Sequence, residues 1–226
     1  MRLRNLLIWD IKFQARYGFY FLYGFLTALY VILLLSFPIS WKANAAAILI
    51  FSDPAAMGLF FMGAIVLLEK SQRVTSFMSI TPTKALEYIL SKVISLSLTG
   101  MLVAGVLGIA AGGKNIPLLM LGTLLSSVIF TLFGVIIATK TTTLNRFILA
   151  TVPVEIITFV PGLLHLFGIT PPQGSLYPPN ACMDLVAGKG FPIPGILLAI
   201  GLIAALMYIA HRSVLKMWQS QGGVKI

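Results

Sequence analysis

The chain has 226 residues, of which 58% are hydrophobic and only 10% charged, against about 45–50% apolar and about 25% charged in an ordinary soluble domain. This composition excludes a water-soluble globular domain, while the length leaves room for several membrane crossings of ~20 residues each. The balance of 16 Lys plus Arg to 6 Asp plus Glu gives a formal +10, but the bases lie between long uncharged runs, where positive-inside topology and anionic lipid explain them without a nucleic-acid partner.

Residues 1–16, MRLRNLLIWDIKFQAR, open the chain. Asp10, Lys12 and Arg16 interrupt any signal-peptide core, so no cleavable leader is expected. On a helix, Arg2, Asn5, Lys12 and Arg16 share one face and Leu3, Leu7 and Ile11 the opposite one. This reads as a basic interfacial helix, imperfect because Arg4, Asp10 and Gln14 intrude on the apolar side. The plainer reading is a stop for the first span. That span, 17–38, is uncharged and long enough to cross the ~30 Å hydrocarbon core. Its aromatics, Tyr17, Phe19, Tyr20, Phe21, Tyr23 and Phe25, suit an interface belt, a dimer surface or a wall for an apolar substrate. A second span, 49–68, carries Asp53 near its start, expected close to a membrane surface.

The following loop, 69–92, reads EKSQRVTSFMSITPTKALEYILSK. Glu69 to Ser79 suits a short helix carrying Phe77 and Met78 beside Lys70 and Arg73. Thr81 then reads as an N-cap with Pro82 at the first helical position, opening a helix that runs through Ala85, Leu86, Ile89 and Leu90 into the third span. A rigid element of this kind could dock in a partner's groove and pass motion to the spans. Otherwise its bases merely enforce topology and Pro82 merely ends a turn.

Three further spans are expected at 93–113, 115–139 and 147–168. Gly100, Gly105, Gly108 and Gly112 in the third permit close helix approach. In the fifth, Glu155 is the one acid placed well inside an apolar run, where a charge costs roughly 2.5–3.5 kcal/mol on insertion scales. Thr151 and Thr158 lie within hydrogen-bonding spacing of it, and His165 further along. Glu155, Thr158 and His165 are therefore the candidate translocation-path residues, with a protonated, packing carboxyl as the alternative. Pro153 and Pro161 bracket Glu155 and are expected to kink the helix. Segment 170–194 has six prolines and reads as a structured external or re-entrant element, in which Asp184 and Lys189 could pair. The sixth span is expected at 191–211. The connecting segments place thirteen Lys and Arg on one side of these six spans and three, Lys42, Lys114 and Lys189, on the other, so both termini are expected to be cytoplasmic.

The loop resembles that of the membrane subunits of type-two ABC transporters, the exporter-type permeases. Such loops open with an acid and a base, run through a helix to a small residue and proline, then reach a lysine by an aromatic or acidic pair. Here these are Glu69-Lys70, Thr81-Pro82, Glu87-Tyr88-Ile89 and Lys92. The six spans, the interfacial helix and the external segment are also similar, so the resemblance covers the whole chain. Ser71-Gln72-Arg73-Val74-Thr75 departs from the further acid and Gly-Thr pair common in the family, which bears on the subfamily. Shorter permeases of this kind include drug and fluoroquinolone exporters.

The resemblance implies an all-α polytopic protein of a bacterial cell membrane, forming one transmembrane domain. Glu69, Lys70, Arg73, Phe77, Pro82, Glu87, Tyr88 and Lys92 would couple it to an ABC ATPase present in two copies. Tyr177, Pro178, Pro179 and Asp184 would belong to an external gate. A second permease, identical or different, would complete the path for a drug-like, lipid-like or peptide substrate, with membrane lipid around it. The chain has no GxxxxGK[ST] loop, since Gly112-Gly113-Lys114 lacks the spacing, so ATP and Mg would be bound by the partner, and this chain is expected to hold no cofactor and to be no enzyme. Cys182 is the single cysteine, and no metal cluster or catalytic pair is evident. The rival readings are a proton-coupled transporter using Glu155 and an intramembrane enzyme.

Overall fold

The computed structural model describes residues 2–53, 55–113 and 115–221. Lys114 and Lys225, counted in the charge asymmetry, lie outside the described residues, as do Met1 of the expected interfacial helix and Pro54 of the second span. The chain is 86% helical, with no strand among the described residues.

Helix α1 (Arg2–Arg16) lies before α2 (Phe19–Ser36); α3 (Ile39–Ser52) and α4 (Met57–Ser71) are two halves of one crossing; α5 (Val74–Ile80) is short. Then follow α6 (Ala85–Ala110), α7 (Ile116–Lys140) and α8 (Leu144–Leu166), a 3-10 turn (Pro172–Leu176), α9 (Pro178–Ala187) and α10 (Ile193–Gln221). Among the described residues six helical segments are long and apolar enough to cross a membrane, with α3 and α4 taken together. The chain is thus a multi-pass membrane protein. The crossings alternate in direction, which leaves α1, α5 and the end of α10 at one end of the bundle and α9 at the other.

Helix α7 is the centre: α4, α6, α9 and α10 all pack on it. Small residues make this possible. A Cβ added at Gly134 would fall 2.7 Å from the Leu59 carbonyl oxygen of α4, so the two backbones touch with nothing between them. Outward, α2, α8 and α10 present large exposed side chains such as Phe21, Leu149 and Leu197, as expected of surfaces made for hydrocarbon. The first-span aromatics divide accordingly. Phe19 and Tyr23 are buried edge-on against Phe61, at 4.8 and 4.9 Å between ring centroids, while Phe21 and Phe25 point outward.

Several expected boundaries shift for identifiable reasons. The second crossing begins at Ile39 rather than 49 and is interrupted after Ser52, so Asp53 lies about halfway along it, not near a surface. Helix α6 starts at Ala85: Thr81 ends α5, its N–H and hydroxyl both donating to the Met78 carbonyl at 3.2 and 2.9 Å, so neither Thr81 nor Pro82 begins the next helix. That start is fixed by Glu87, whose carboxylate accepts from the Lys84 N–H at 3.0 Å. At 26 residues α6 is about 39 Å long, so its first turns reach below the apolar core.

The proline-rich segment folds back into the bundle. Pro178 and Pro179 stand at the first turn of α9, where a missing N–H costs nothing, and eight of the helix's ten residues are buried among α3, α7, α8 and α10. Burial pushes the Cys182 thiol up to about 12, leaving it unreactive at neutral pH. At the entry to α9, the Tyr177 hydroxyl donates to the Ile157 carbonyl at 2.9 Å. That carbonyl is four residues before Pro161 and therefore lacks its helical donor. Tyr177 replaces the missing N–H, and burial raises its phenol pKa, keeping the donor proton in place.

Two expectations follow. Tyr177→Phe lowers stability in detergent by about 1 kcal/mol, and in a Pro161→Ala background, which restores the N–H, the same change becomes neutral; a double-mutant cycle from thermal unfolding measures the coupling. Gly134→Leu forces α4 from α7 and costs about 1–3 kcal/mol in the same assay, whereas Gly24→Leu, with open space around it, leaves the midpoint unchanged.

Candidate functional site

The residues of loop 69–92 separate into a buried layer and an exposed one. Lys92 on α6 is 1% exposed, and its ammonium lies 2.6 Å from Glu69 Oε1 of α4 and 2.8 Å from Asp10 Oδ1 of α1. The two carboxylates have their second oxygens satisfied as well: Tyr88 donates its hydroxyl to Glu69 at 2.5 Å and Ser91 donates to Asp10 at 2.6 Å. The ammonium also lies 4.6 Å from the Tyr88 ring centroid, and that ring meets Trp218 of α10 edge-on at 5.6 Å. One lysine thus joins α1, α4 and α6, with α10 behind it. Such a cluster is tolerable in an apolar setting only because every charge is both paired and hydrogen-bonded.

Asp10 and Gln14, which spoil the amphipathic pattern of α1, are the residues that dock it. Gln14 donates to the Ser95 hydroxyl at 2.9 Å, and both side chains are buried. Ile8 and Ile11 are exposed instead. The helix turns Asp10 and Gln14 inward beside Phe13, while Ile8, Ile11 and the basic residues face outward, so the two intruding polar residues, not the expected Ile11, belong to the docked face. The signal available in the sequence was that the intruding residues recur at i and i+4, on one line of the helix surface.

Lys70 is also committed within the chain. Its ammonium donates to the carbonyls of Ala138, Thr139 and Thr141 at 2.7, 3.0 and 2.8 Å, satisfying the last turn of α7. Arg73, Phe77 and Pro82 remain at the surface, and Glu87 is spent on the start of α6. Arg73 adopts φ 58°, a left-handed turn rare outside glycine, which sets the angle between α4 and α5. Phe77 projects from α5 with 64% of its surface exposed. Between α1 and α5 lies an open groove whose walls include Arg2, Trp9, Gln72, Arg73, Phe77 and Met78. Arg2 bridges it, donating to the Pro82 carbonyl at 2.8 Å.

The expected path residues do not meet. Glu155 lines a cleft of about 330 Å³ halfway along α8, with Ser52, Ala56, Phe130 and Phe159 in its walls. Thr151 and Thr158 do not bond its carboxylate: their hydroxyls donate to the Ile148 and Val154 carbonyls at 2.8 and 2.6 Å, and Thr158 also to the Glu155 backbone carbonyl at 3.4 Å. His165 is at the α9 end, its Nε2 2.9 Å from Asp184 Oδ2 and its Nδ1 against Thr170. Asp184 therefore pairs with His165, and Lys189 instead donates its ammonium to the Leu166 carbonyl. Pro178, Pro179 and Asp184 lie on α9, with Tyr177 immediately before its first turn. Asp53, expected near a membrane surface, lies instead in the break between α3 and α4 beside Tyr30. Among the described residues no group of three or more potential ligands could hold a metal ion.

Comparison with known proteins gives this arrangement a family. Two relatives from Mycobacterium tuberculosis strains, both called fluoroquinolones export permease protein, are 27% identical to the chain over 188 residues, covering 79% of it and 79% of each relative. The model of the fluoroquinolones export permease protein family matches residues 1–216, which spans α1 and all six crossings. The chain belongs to that family, an exporter-type permease group of the type-two ABC class.

Proposed function

We propose that the chain is the membrane subunit of an ATP-driven exporter, working by alternating access with a separate ABC ATPase in two copies and a second permease. The observation that carries this reading is the groove between α1 and α5, with Phe77 standing exposed at its edge and the Lys92 cluster directly behind it. A short helix presenting one large apolar side chain suits insertion into a partner's pocket. The charge asymmetry supports a cytoplasmic position for this end, both termini and the ATPase in a cell membrane. ATP and Mg belong to the partner; this chain's part is mechanical.

In this reading Arg73, Phe77 and Pro82 make the contact, and Glu69, Tyr88 and Lys92 stand behind it as positioning residues. Displacement of α5 is passed to α4 through Arg73, and to α1 and α6 through the ion cluster, because no member of that cluster can move alone without leaving a charge unpaired. Lys70 carries the same movement to α7. At the far end α9, linked to α8 through Tyr177 and through Asp184, acts as the external gate. The path passes the mid-span cleft, where Glu155 and the break after Ser52 offer one carboxylate and freed backbone between aromatic walls. That lining suits a drug-like aromatic amphiphile, in keeping with the name of the Mycobacterium tuberculosis relatives.

Phe77→Asp is expected to leave the thermal midpoint of the detergent-purified chain within about a degree of wild type while abolishing co-purification of the ATPase and substrate-stimulated ATP hydrolysis. Lys92→Met is expected to do the opposite first, costing about 3–5 kcal/mol of stability because two buried carboxylates lose their counter-ion. Retained ATPase capture by the Phe77 variant would remove α5 from the interface. For the cleft, Glu155→Gln in reconstituted vesicles is expected to cut transport of cationic substrates about tenfold or more while ATP hydrolysis persists. Transport that proceeds without ATP and vanishes with Glu155→Gln would favour a proton-coupled carrier.

A further inference from the structure

The chain has six Asp and Glu side chains, all among the described residues, and each has a place. Asp10 and Glu69 hold Lys92, Glu87 caps α6, Asp184 meets His165, Asp53 faces Tyr30, and Glu155 lines the mid-span cleft. None reaches a second cleft, of about 440 Å³, at the α1 end of the bundle between the last turn of α7 and α10. Its walls carry Lys140, Arg212 and Lys216 together with Thr139, Ser213 and Tyr208. All three basic side chains are exposed, and none takes part in the ion pairs formed among the described residues.

The three cations are not occupied elsewhere. Lys140 would ordinarily serve the carbonyls at the end of α7, but Lys70 already donates to those of Ala138, Thr139 and Thr141. Arg212 is held with its guanidinium over the Tyr208 ring, 5.0 Å from the centroid, which fixes its position beside the cleft without neutralising it. Three donors lining one cleft, with no counter-ion among the described residues, call for an anion from outside. The apolar wall says which kind. Along α10 toward the bundle's middle, Tyr208 and Ile209 are 59% and 45% exposed, so the cleft opens directly onto a surface that runs on into hydrocarbon.

We propose that this cleft binds an anionic phospholipid, its phosphate among Lys140, Arg212 and Lys216 and its acyl chains along the outward face of α10. A zwitterionic lipid would bring its own ammonium into the cluster and is disfavoured there. The site lies apart from the groove beside α5, and its existence does not depend on the coupling role assigned to that groove.

The test is native mass spectrometry of the full chain, extracted with whatever subunits stay bound, in nonionic detergent doped with palmitoyl-oleoyl phosphatidylglycerol or the corresponding phosphatidylcholine. One phosphatidylglycerol per chain is expected in preference to phosphatidylcholine. The combined change Lys140→Gln, Arg212→Gln and Lys216→Gln is expected to weaken it about 100-fold. A control of equal charge, Arg4→Gln, Lys12→Gln and Arg16→Gln, should retain it, as should Arg212→Lys. Lys140→Gln and Lys216→Gln made singly report on the site even where the combined variant does not fold. Equal retention by wild type and both single variants, equal loss in the control, equal binding of phosphatidylcholine, or displacement of the lipid by millimolar inorganic phosphate would each overturn the proposal. Binding that disappears whenever the ATPase is present would assign the cleft to a protein surface instead and overturn it equally.

Discussion

The architecture of one end of this protein depends on a single ammonium group. Lys92 is buried where an unpaired charge would be prohibitively expensive, so the chain must bring Asp10 and Glu69 to it, and with them two helices distant in sequence. Their positions relative to α6 follow from hydrogen-bond lengths of 2.6 and 2.8 Å rather than from nonspecific packing. In a membrane this matters more than in water. Lipid tails are as apolar as leucine, so helices gain little by burying hydrocarbon against each other, and specific polar contacts and close backbone approach determine which helix meets which. The cluster does the first, and Gly134 against Leu59 does the second.

The other end is organised by backbone groups left without partners. Pro161 removes a donor from α8, and Tyr177 supplies one; at the end of α8 the N–H groups of Phe167, Gly168 and Ile169 serve the carbonyls of Leu163, His165 and Leu164, and Lys189 reaches that of Leu166. Both side-chain donors come from the segment that contains α9, so the helix that turns back into the bundle is attached where α8 is weakest. The Asp184 to His165 contact adds a third attachment from within α9. A span interrupted in its hydrogen bonding by proline and a re-entrant helix are therefore one assembly.

Hydrophobic runs made all six crossings legible, because a ~20-residue apolar segment has few alternatives. The errors fell where a polar residue was taken as a mark of the membrane surface. The second span was expected from 49 with Asp53 near a surface, whereas Lys42 and Asn44 are carried inside the helical crossing that begins at Ile39. Lys92 suggested that the third span begins after it, whereas the lysine is within the helix and paired. Asp10 and Gln14 were blemishes in a pattern and proved to be the docking face. In each case the deciding partner lies far along the chain, and no local window contains it. Thr81-Pro82 failed differently: the pair satisfies a helix-start rule, but the hydroxyl closes the preceding helix, and both uses have the same local sequence. Of the site, the order of motifs in loop 69–92 was readable; which members face outward was not, since burial depends on α1 and α10.

The distance along the chain between Asp10 and Lys92, 82 positions, also sets an order of events during synthesis. When α1 leaves the ribosome its polar stripe has no partner, and α2, α3 and α4 must all be delivered to the membrane before the third crossing brings the lysine that fixes it. Until then α1 can only rest on the lipid surface by Ile8, Ile11 and their neighbours, with Asp10 in water. Its final seat is therefore acquired only after half the spans are inserted, although α1 precedes all of them along the chain.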